Sequence, residues 1–205
     1  LVSGIFLGIE DAAGVSRHGV AFISHAVTAD QGAGIDVLGE DVAEQRQRLG
    51  WLCRGMGLKE VPAMYYMRMY QPLALEGERI KREAARVNAQ LVIVDSIAAA
   101  IQENIKECDT SLRGFNALRS MGDMTHLVIA HMSKAERERQ GNLTAFGSIF
   151  MRNAPRLVWE MHSTRSGDNI LDLLLKTNKK NWGTWPPKMG FRFTFNNILK
   201  TVEIT

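Results

Sequence analysis

The sequence has little of what defines several protein classes. Its 205 residues include only two cysteines, Cys53 and Cys108, which lie far apart and form no CxxC pair. This excludes a disulfide scaffold and a cysteine-based zinc site, and it favours a protein of the reducing cytoplasm. No run of about 18 apolar residues occurs, so no transmembrane helix is predicted. The first residues lack a basic stretch and are predicted to form a strand, not a signal peptide.

The composition predicts one globular domain. Hydrophobic residues make up 45% of the chain and charged residues 23%, which is enough apolar material for a core. The net charge is only +3, but it is unevenly distributed. Residues 131–205 carry 12 Lys+Arg against 6 Asp+Glu, and residues 1–130 carry 13 against 16. The basic last third is compatible with a polyanionic partner or with a solvated face.

The hydrophobic pattern alternates between strands and helices and then becomes a run of strands. Strands are predicted at 5–7, 35–38, 63–69, 91–94, 126–130, 156–161, 170–176, 191–195 and 199–204. Helices are predicted at 16–27, 41–56 and 75–88 and again from 109. This order predicts a mostly parallel central α/β sheet flanked by helices, with antiparallel C-terminal strands. In such sheets ligands bind at the carboxyl ends of the strands, so the residues that follow each strand are the candidates.

The loop after the first predicted strand partly fits a phosphate-binding loop. Gly14 and Ser16 match the end of the pattern G-x-x-x-x-G-K-[ST]. Ile9 stands where the first glycine belongs, and Val15 stands where the lysine belongs. An ordinary strand-to-helix turn explains the same residues.

Acidic residues follow the second and the central predicted strands. Glu40 can polarise a water molecule, although Glu40 and Asp41 are equally suited to the start of a helix. Asp95 ends the strand Leu91–Val94, which is apolar on both faces. A carboxylate there is costly to desolvate unless it is exposed or serves a cation, and phosphoryl-transfer sites use such a group to organise magnesium.

Basic and polar residues follow the later strands. His131 can sense a phosphate or act as a structural residue, and the loop 134–147 carries Lys134, Arg137 and Arg139. Such a loop can grip single-stranded nucleic acid or simply be solvated, but it has little aromatic content for base stacking.

The segment after the strand 170–176 is also basic. Lys176 can reach a nucleotide on a neighbouring subunit, as an arginine finger does. Trp182 and Trp185, beside Pro186 and Pro187, are expected to pack against the protein and not to contact a ligand.

The order of these motifs resembles the RecA-like P-loop ATPases, in particular the plasmid and phage RepA-like branch near the DnaB-type hexameric helicases and the KaiC group. The resemblance covers nearly the whole chain. It is carried by Val37–Asp41 (VLGED), Leu91–Ser96 (LVIVDS), Leu127–Lys134 (LVIAHMSK), Phe146–Ser148 with Asn153 and Arg156, and Leu174–Asn178 (LLKTN). Asn178 stands where DnaB-type proteins carry an arginine and where RepA-like proteins also have asparagine.

The resemblance implies a role for each matching residue. Glu40 would activate the attacking water, and Asp95 would organise magnesium. His131 would couple the γ-phosphate to the DNA loops, and Lys176 would act in trans on the neighbour's nucleotide. The loop 134–147 would contact DNA in the pore of a ring.

The resemblance further implies a RecA-like ATPase core over residues 1–205, with a nucleotide half at 1–130 and a DNA-binding, strand-rich half at 131–205. ATP and Mg²⁺ are the implied cofactors, and single-stranded DNA and a homo-hexameric ring are the implied partners. The implied nucleotide-binding residues are Gly14, Ser16, Arg17, Asp95 and Ser96, of which Ser16 and Asp95 would hold the metal.

Three hypotheses remain because Val15 cannot supply the charge of the missing lysine. The first is an ATP hydrolase of helicase type from a plasmid or phage replication or recombination system, with Arg17 or Lys134 as a compensating cation. The second is a non-catalytic DNA-binding or assembly subunit with a decayed phosphate loop. The third is an unrelated α/β protein whose strand ends match by chance.

Overall fold

The fold consists of two separate four-stranded sheets. A computed structural model of the chain describes residues 19–25, 42–59, 64–122, 124–131 and 147–205. The strands in these ranges are β1 (Gly19–His25), β2 (Met64–Met69), β3 (Ala89–Asp95), β4 (Thr125–Ile129), β5 (Leu157–Gly167), β6 (Ile170–Lys180), β7 (Met189–Asn196) and β8 (Thr201–Ile204). The helices are α1 (Val42–Gly55), α2 (Leu73–Arg86), α3 (Ile97–Ile101), α4 (Cys108–Ser120) and α5 (Phe150–Asn153).

The first sheet is parallel and has the order β2-β1-β3-β4. Strand β3 pairs with a neighbour on each side, and its residues Val92, Ile93 and Val94 are at most 1% exposed. A strand that is buried on both faces needs apolar residues at every position, which explains the unbroken run LVIV.

The two faces of the parallel sheet are covered differently. Val92 and Val94 belong to the largest apolar core, which they share with buried residues of α2, α3 and α4. Ile93 faces the other way and packs with partly buried Tyr66, Leu127 and Ile129. Among the described residues, helices therefore cover only one face of this sheet.

The second sheet is antiparallel and has the order β5-β6-β7-β8. Its core is formed by Leu173, Phe193 and Val202, against which Trp51 and Leu52 of α1 pack. Helix α1 lies between β1 and β2 in the chain, yet it covers the sheet that the last strands form.

The predicted fold class, a mostly parallel central sheet flanked by helices and extended by antiparallel strands, is wrong. Half of the described strands form a sheet of their own, and α1 packs on that sheet instead of on the parallel one. The physical reason is that a hydrophobic pattern shows which face of each helix or strand is apolar, but not which other element that face packs against. The apolar line of α1 fits either sheet, and only the tertiary contacts decide between them.

The predicted elements are confirmed wherever their pattern is long or strongly periodic. Helices α1, α2 and α4 and strands β2 to β8 lie at the predicted places, but β5 and β6 continue six and four residues beyond their predicted ends, to Gly167 and Lys180. The helix predicted at 16–27 is wrong, because residues 19–25 form β1. Val20 and Ile23 fit helical spacing, but pairing with β2 and β3 on both sides makes the segment a strand. The strands predicted at 5–7 and 35–38 lie outside the described residues.

The described helices are short. The longest, α1 and α2, have 14 residues each. A membrane-spanning helix needs about 20 apolar residues, so no helix in the described part of the chain can cross a bilayer.

The contact between α1 and β8 depends on a glycine. A Cβ atom at Gly55 would lie 1.9 Å from the carbonyl oxygen of Val202, which belongs to the backbone and cannot rotate away. We expect Gly55→Ala to lower the free energy of unfolding by about 1–3 kcal/mol, because the helix must move off the sheet. Urea denaturation of the two proteins measures this difference.

Gly50, five residues earlier in α1, provides the matched control. The nearest atom to its added Cβ would be in the Arg54 side chain at 3.5 Å, an ordinary contact. Gly50→Ala should therefore raise the stability by about 0.5–1 kcal/mol through helix propensity. Equal effects of the two substitutions would contradict the packing of α1 on β8.

A half-buried histidine in β4 makes stability depend on pH. His126 is the register partner of Val92, and its buried Nε2 has no hydrogen-bond partner among the described residues. Burial lowers the pKa of the imidazole below its ordinary value of 6.5. The unfolded chain therefore binds this proton more readily than the folded one, and stability falls as the pH drops below 6.5.

We expect His126→Phe to remove the part of the stability loss at low pH that comes from protonation of His126. The test is to follow urea denaturation of both proteins from pH 7.5 to about pH 5, above the range in which carboxyl groups titrate. The parent should lose stability over this interval more steeply than the variant. Identical slopes would show that the folded protein accommodates a charged His126.

Candidate functional site

Asp95 lies at the carboxyl edge of the parallel sheet, the side at which all four strands end. Asp95 is the last residue of β3, and its register partners are Ser24 on β1 and Ile129 on β4. The side chain is half-buried, in contrast to the fully buried Val94 before it. A carboxylate at this position keeps access to solvent while it stands next to two neighbouring strand ends.

Helix α3 fixes the backbone that follows Asp95. Ser96 is the N-cap residue with an extended backbone, and its carbonyl oxygen accepts a hydrogen bond from the Ala100 amide at 2.9 Å. Ile97, Ala100 and Ile101 are buried in the largest core. The segment that carries Asp95 and Ser96 is therefore anchored on both sides, by β3 and by α3.

His131 lies at the end of the neighbouring strand. It follows Ile129, the register partner of Asp95, by two residues, and its side chain is exposed. The structure thus brings His131 and Asp95 to the same edge of the sheet, on adjacent parallel strands. This is the arrangement that the sequence predicts for the two residues, and their chemical roles stay predictions.

A third strand end at this edge is held by a structural carboxylate. Glu76 of α2 is 5% exposed and accepts hydrogen bonds from the backbone amides of Tyr70 and Gln71, at 3.2 and 3.3 Å, and from Arg79. Burial alone would raise the pKa of Glu76, but hydrogen bonds from Arg79 and the two amides lower it overall. This carboxylate fixes the turn after β2, so it has a structural explanation.

Several predicted site residues lie outside the part of the chain that the structure describes. They are Gly14, Ser16, Arg17, Glu40, Lys134, Arg137 and Arg139. Their convergence with Asp95 and His131 therefore stays a prediction.

The structure places Lys176 in the antiparallel sheet. Lys176 on β6 is the register partner of Glu160 on β5, and its Nζ lies 3.6 Å from Glu160 Oε2. Asn178, two residues further along β6, donates a hydrogen bond from its amide to Glu160 Oε1. Nε2 of His162 also lies 3.6 Å from Glu160 Oε2. We call Glu160, His162, Lys176 and Asn178 the Glu160 cluster.

Glu160 is the residue of this cluster that sequence reasoning missed. It is 5% exposed and Asn178 is 7% exposed, so a carboxylate and an amide are buried together at one end of the sheet. Burying a carboxylate is costly unless a charge or hydrogen-bond donors face it, and Lys176 and Asn178 provide both. The available signal was that Glu160 interrupts the otherwise apolar run 157–161 (LVWEM).

The two tryptophans that follow β6 do not pack against the protein as expected. Trp182 is 64% exposed and Trp185 is 61% exposed. The expected packing was wrong, because the exposure of a tryptophan depends on what its segment meets in space and not on the residues beside it. In the structure the segment 181–188 protrudes between β6 and β7 with most of its residues exposed.

A separate groove contains all three tyrosines of the chain. It has a volume of about 310 Å³, lies between β2 and α2, and is lined by Tyr65, Tyr66 and Tyr70 together with Arg79 and Arg86. Both arginines are paired with glutamates of α2. None of the predicted site residues lines this groove.

Comparison with known proteins assigns no family to this chain. No family model matches it, and no curated protein matches it.

The Glu160 cluster makes a prediction about stability. Glu160→Ala removes the carboxylate that accepts the hydrogen bond of the buried Asn178 amide, which costs about 1–3 kcal/mol in the free energy of unfolding. Glu203→Ala, at an exposed position of β8, is the control and should change stability by less than about 0.5 kcal/mol. Chemical denaturation measures both. Equal effects would mean that the cluster does not stabilise the sheet.

Proposed function

We propose that this protein binds a magnesium–nucleotide complex at the carboxyl edge of its parallel sheet and couples ATP hydrolysis to single-stranded DNA. The observation that carries this proposal is the position of Asp95 at the end of the central strand, beside the strand end that presents His131. The order of motifs along the chain supports it, since these residues resemble those of plasmid and phage replication ATPases. The biological setting would be replication or recombination of such an element.

The residues at this edge fit a magnesium ion. Among the described residues no group of three or more His, Cys, Asp or Glu side chains is arranged to hold a metal by itself. Mg²⁺ does not need one, because it keeps several waters and binds through one or two carboxylates together with the phosphates of the substrate. Asp95 is half-buried at a strand end, where one carboxylate can meet such a complex.

Each proposed residue then has a distinct task. Asp95, with Ser16, would hold the magnesium shell, and the bound ion would neutralise charge on the phosphates. Glu40 would orient and deprotonate the attacking water. Exposed His131 would face the terminal phosphate from the adjacent strand. Loss of this phosphate would then change the position of His131 and of the proposed DNA loop, which begins three residues later at Lys134.

The role proposed for Lys176 requires a second copy of the chain. Lys176 lies on the antiparallel sheet, whereas Asp95 lies on the parallel one. A lysine that acts on a nucleotide in trans would do so in a homo-oligomeric ring, for which a hexamer is the proposed form. Its Nζ is 3.6 Å from the Glu160 carboxylate, which provides a resting partner when no nucleotide is present.

A second candidate function rests on Val15. This residue stands where the phosphate loop needs a lysine, so nucleotide binding without turnover is a specific alternative. The protein would then be a DNA-binding or assembly subunit. Tight binding of magnesium–ATP without phosphate release, combined with a gain of activity in Val15→Lys, would favour this alternative.

Asp95→Asn tests the proposed site. We expect the affinity for magnesium–ATP to fall at least about tenfold, because a metal ligand loses its charge, and phosphate release stimulated by single-stranded DNA to be lost. Isothermal titration calorimetry and a phosphate-release assay measure these effects.

Asp168→Asn is the matched control. Asp168 is exposed in the turn between β5 and β6, so its substitution should change neither quantity. Unchanged magnesium–ATP affinity in Asp95→Asn would contradict the site itself. DNA-stimulated phosphate release that survives Glu40→Gln would contradict the assigned water chemistry.

A further inference from the structure

The segment between β6 and β7 combines exposed aromatic rings with positive charge. Together with the end of β6, it covers residues 176–188 (KTNKKNWGTWPPK), which contain four lysines and no acidic residue. Trp182 and Trp185 expose 64% and 61% of their surface. Large indoles are among the most costly side chains to leave in water, so two exposed ones in a single loop mark an interaction surface.

Lysines flank the two rings along the chain, and one of them contacts a ring. Lys180 Nζ lies 5.4 Å from the centre of the Trp182 ring and also donates a hydrogen bond to the Thr184 carbonyl. Lys188, three residues after Trp185, is exposed. Lys179 is anchored to the Asn153 and Pro155 carbonyls at 2.8 and 2.7 Å, which fixes the base of the loop.

We infer that this segment is a binding site for single-stranded DNA, in which Trp182 and Trp185 stack on bases and Lys180 and Lys188 contact the phosphates. Alternating flat rings and cations match an unpaired strand, whose bases offer faces for stacking and whose backbone carries one negative charge per nucleotide. A duplex hides these faces, and an acidic peptide offers none.

A strand fits this segment better than a free nucleotide does. Two indoles three residues apart present two stacking surfaces, whereas a mononucleotide has one base. Lys180 and Lys188 flank the ring pair along the chain, as contacts to a continuing backbone require. The proposed DNA loop 134–147 has little aromatic content, so this segment would supply the stacking that the loop lacks.

Tryptophan fluorescence reports on this site directly. The chain has four tryptophans, and Trp51 packs on β8 and lies under Lys200 at 5.0 Å, away from the segment. We expect a 20-nucleotide oligodeoxythymidylate to quench the emission, and the Trp182→Ala and Trp185→Ala double variant to lose this quenching. Binding measured by fluorescence anisotropy with a labelled strand should weaken about tenfold or more in that variant.

Matched variants separate stacking from charge. Trp159→Phe, at a strand position that is 43% exposed, should retain both the quenching and the affinity. The Trp182→Phe and Trp185→Phe double variant should bind more tightly than the alanine pair, because phenylalanine still stacks. Lys188→Ala should reduce the slope of log affinity against log salt by about 0.7, the value for one phosphate contact on a single strand.

Competitors decide the kind of ligand. Parent-like affinity in the alanine pair would overturn the proposal. So would equal competition by polyglutamate or by duplex DNA, or quenching by ATP alone that blocks the strand. No arm of the experiment measures nucleotide hydrolysis, so failure of the proposed ATPase activity would leave this test intact.

A triple variant separates this segment from the proposed DNA loop. Lys134→Ala, Arg137→Ala and Arg139→Ala together should keep the quenching at higher strand concentrations. Complete loss of quenching in this variant would also overturn the proposal.

Discussion

The burial of β3 is the constraint on which the rest of the parallel sheet depends. Val92, Ile93 and Val94 are almost completely removed from water, so every peptide group between them needs a partner in β1 or β4. That pairing fixes the register, and the register places Asp95 beside Ile129 at the edge where the strands end. The chemistry proposed for Asp95 and His131 is therefore a consequence of how an apolar strand satisfies its backbone.

The two sheets provide different kinds of surface. The parallel sheet ends in an edge with a half-buried carboxylate, which suits a cation and its phosphates. The antiparallel sheet buries Glu160 beside Lys176 and Asn178 and then extends into an exposed loop with two tryptophans. The carboxylate edge and the exposed tryptophans therefore belong to different sheets, and a ligand that contacts both would have to contact two sheets or two copies of the chain.

The sequence predicted the local elements and the strand ends, and it failed where tertiary contacts decide. The run LVIVDS predicted both β3 and the position of Asp95. A strand that is apolar at every position is expected to be central, and the carboxylate that follows the apolar run is expected at the end of the strand, where it reaches solvent. Residues 19–25 misled because Val20 and Ile23 have helical spacing, while the continuous apolar run 20–23 fits a strand that is paired on both sides equally well. The partner of Glu160 could not be predicted for another reason. Lys176 faces Glu160 because of the register in which β5 and β6 pair, and no fixed sequence spacing identifies such a cross-strand pair. Exposure of Trp182 and Trp185 likewise depends on what the turn meets in space.

The packing of α1 on the antiparallel sheet has a consequence for the order of folding. Arg54 donates two hydrogen bonds to the Lys200 carbonyl, at 3.1 and 2.7 Å, across 146 residues of chain. Closing a loop of this length costs entropy that local contacts do not repay, and such distant contacts form late. During synthesis on a ribosome, α1 emerges long before β8, so its apolar side chains Trp51 and Leu52 have no partner sheet until β8 has been made. Completion of the second core therefore depends on the synthesis of a strand that lies about 150 residues further along the chain than α1.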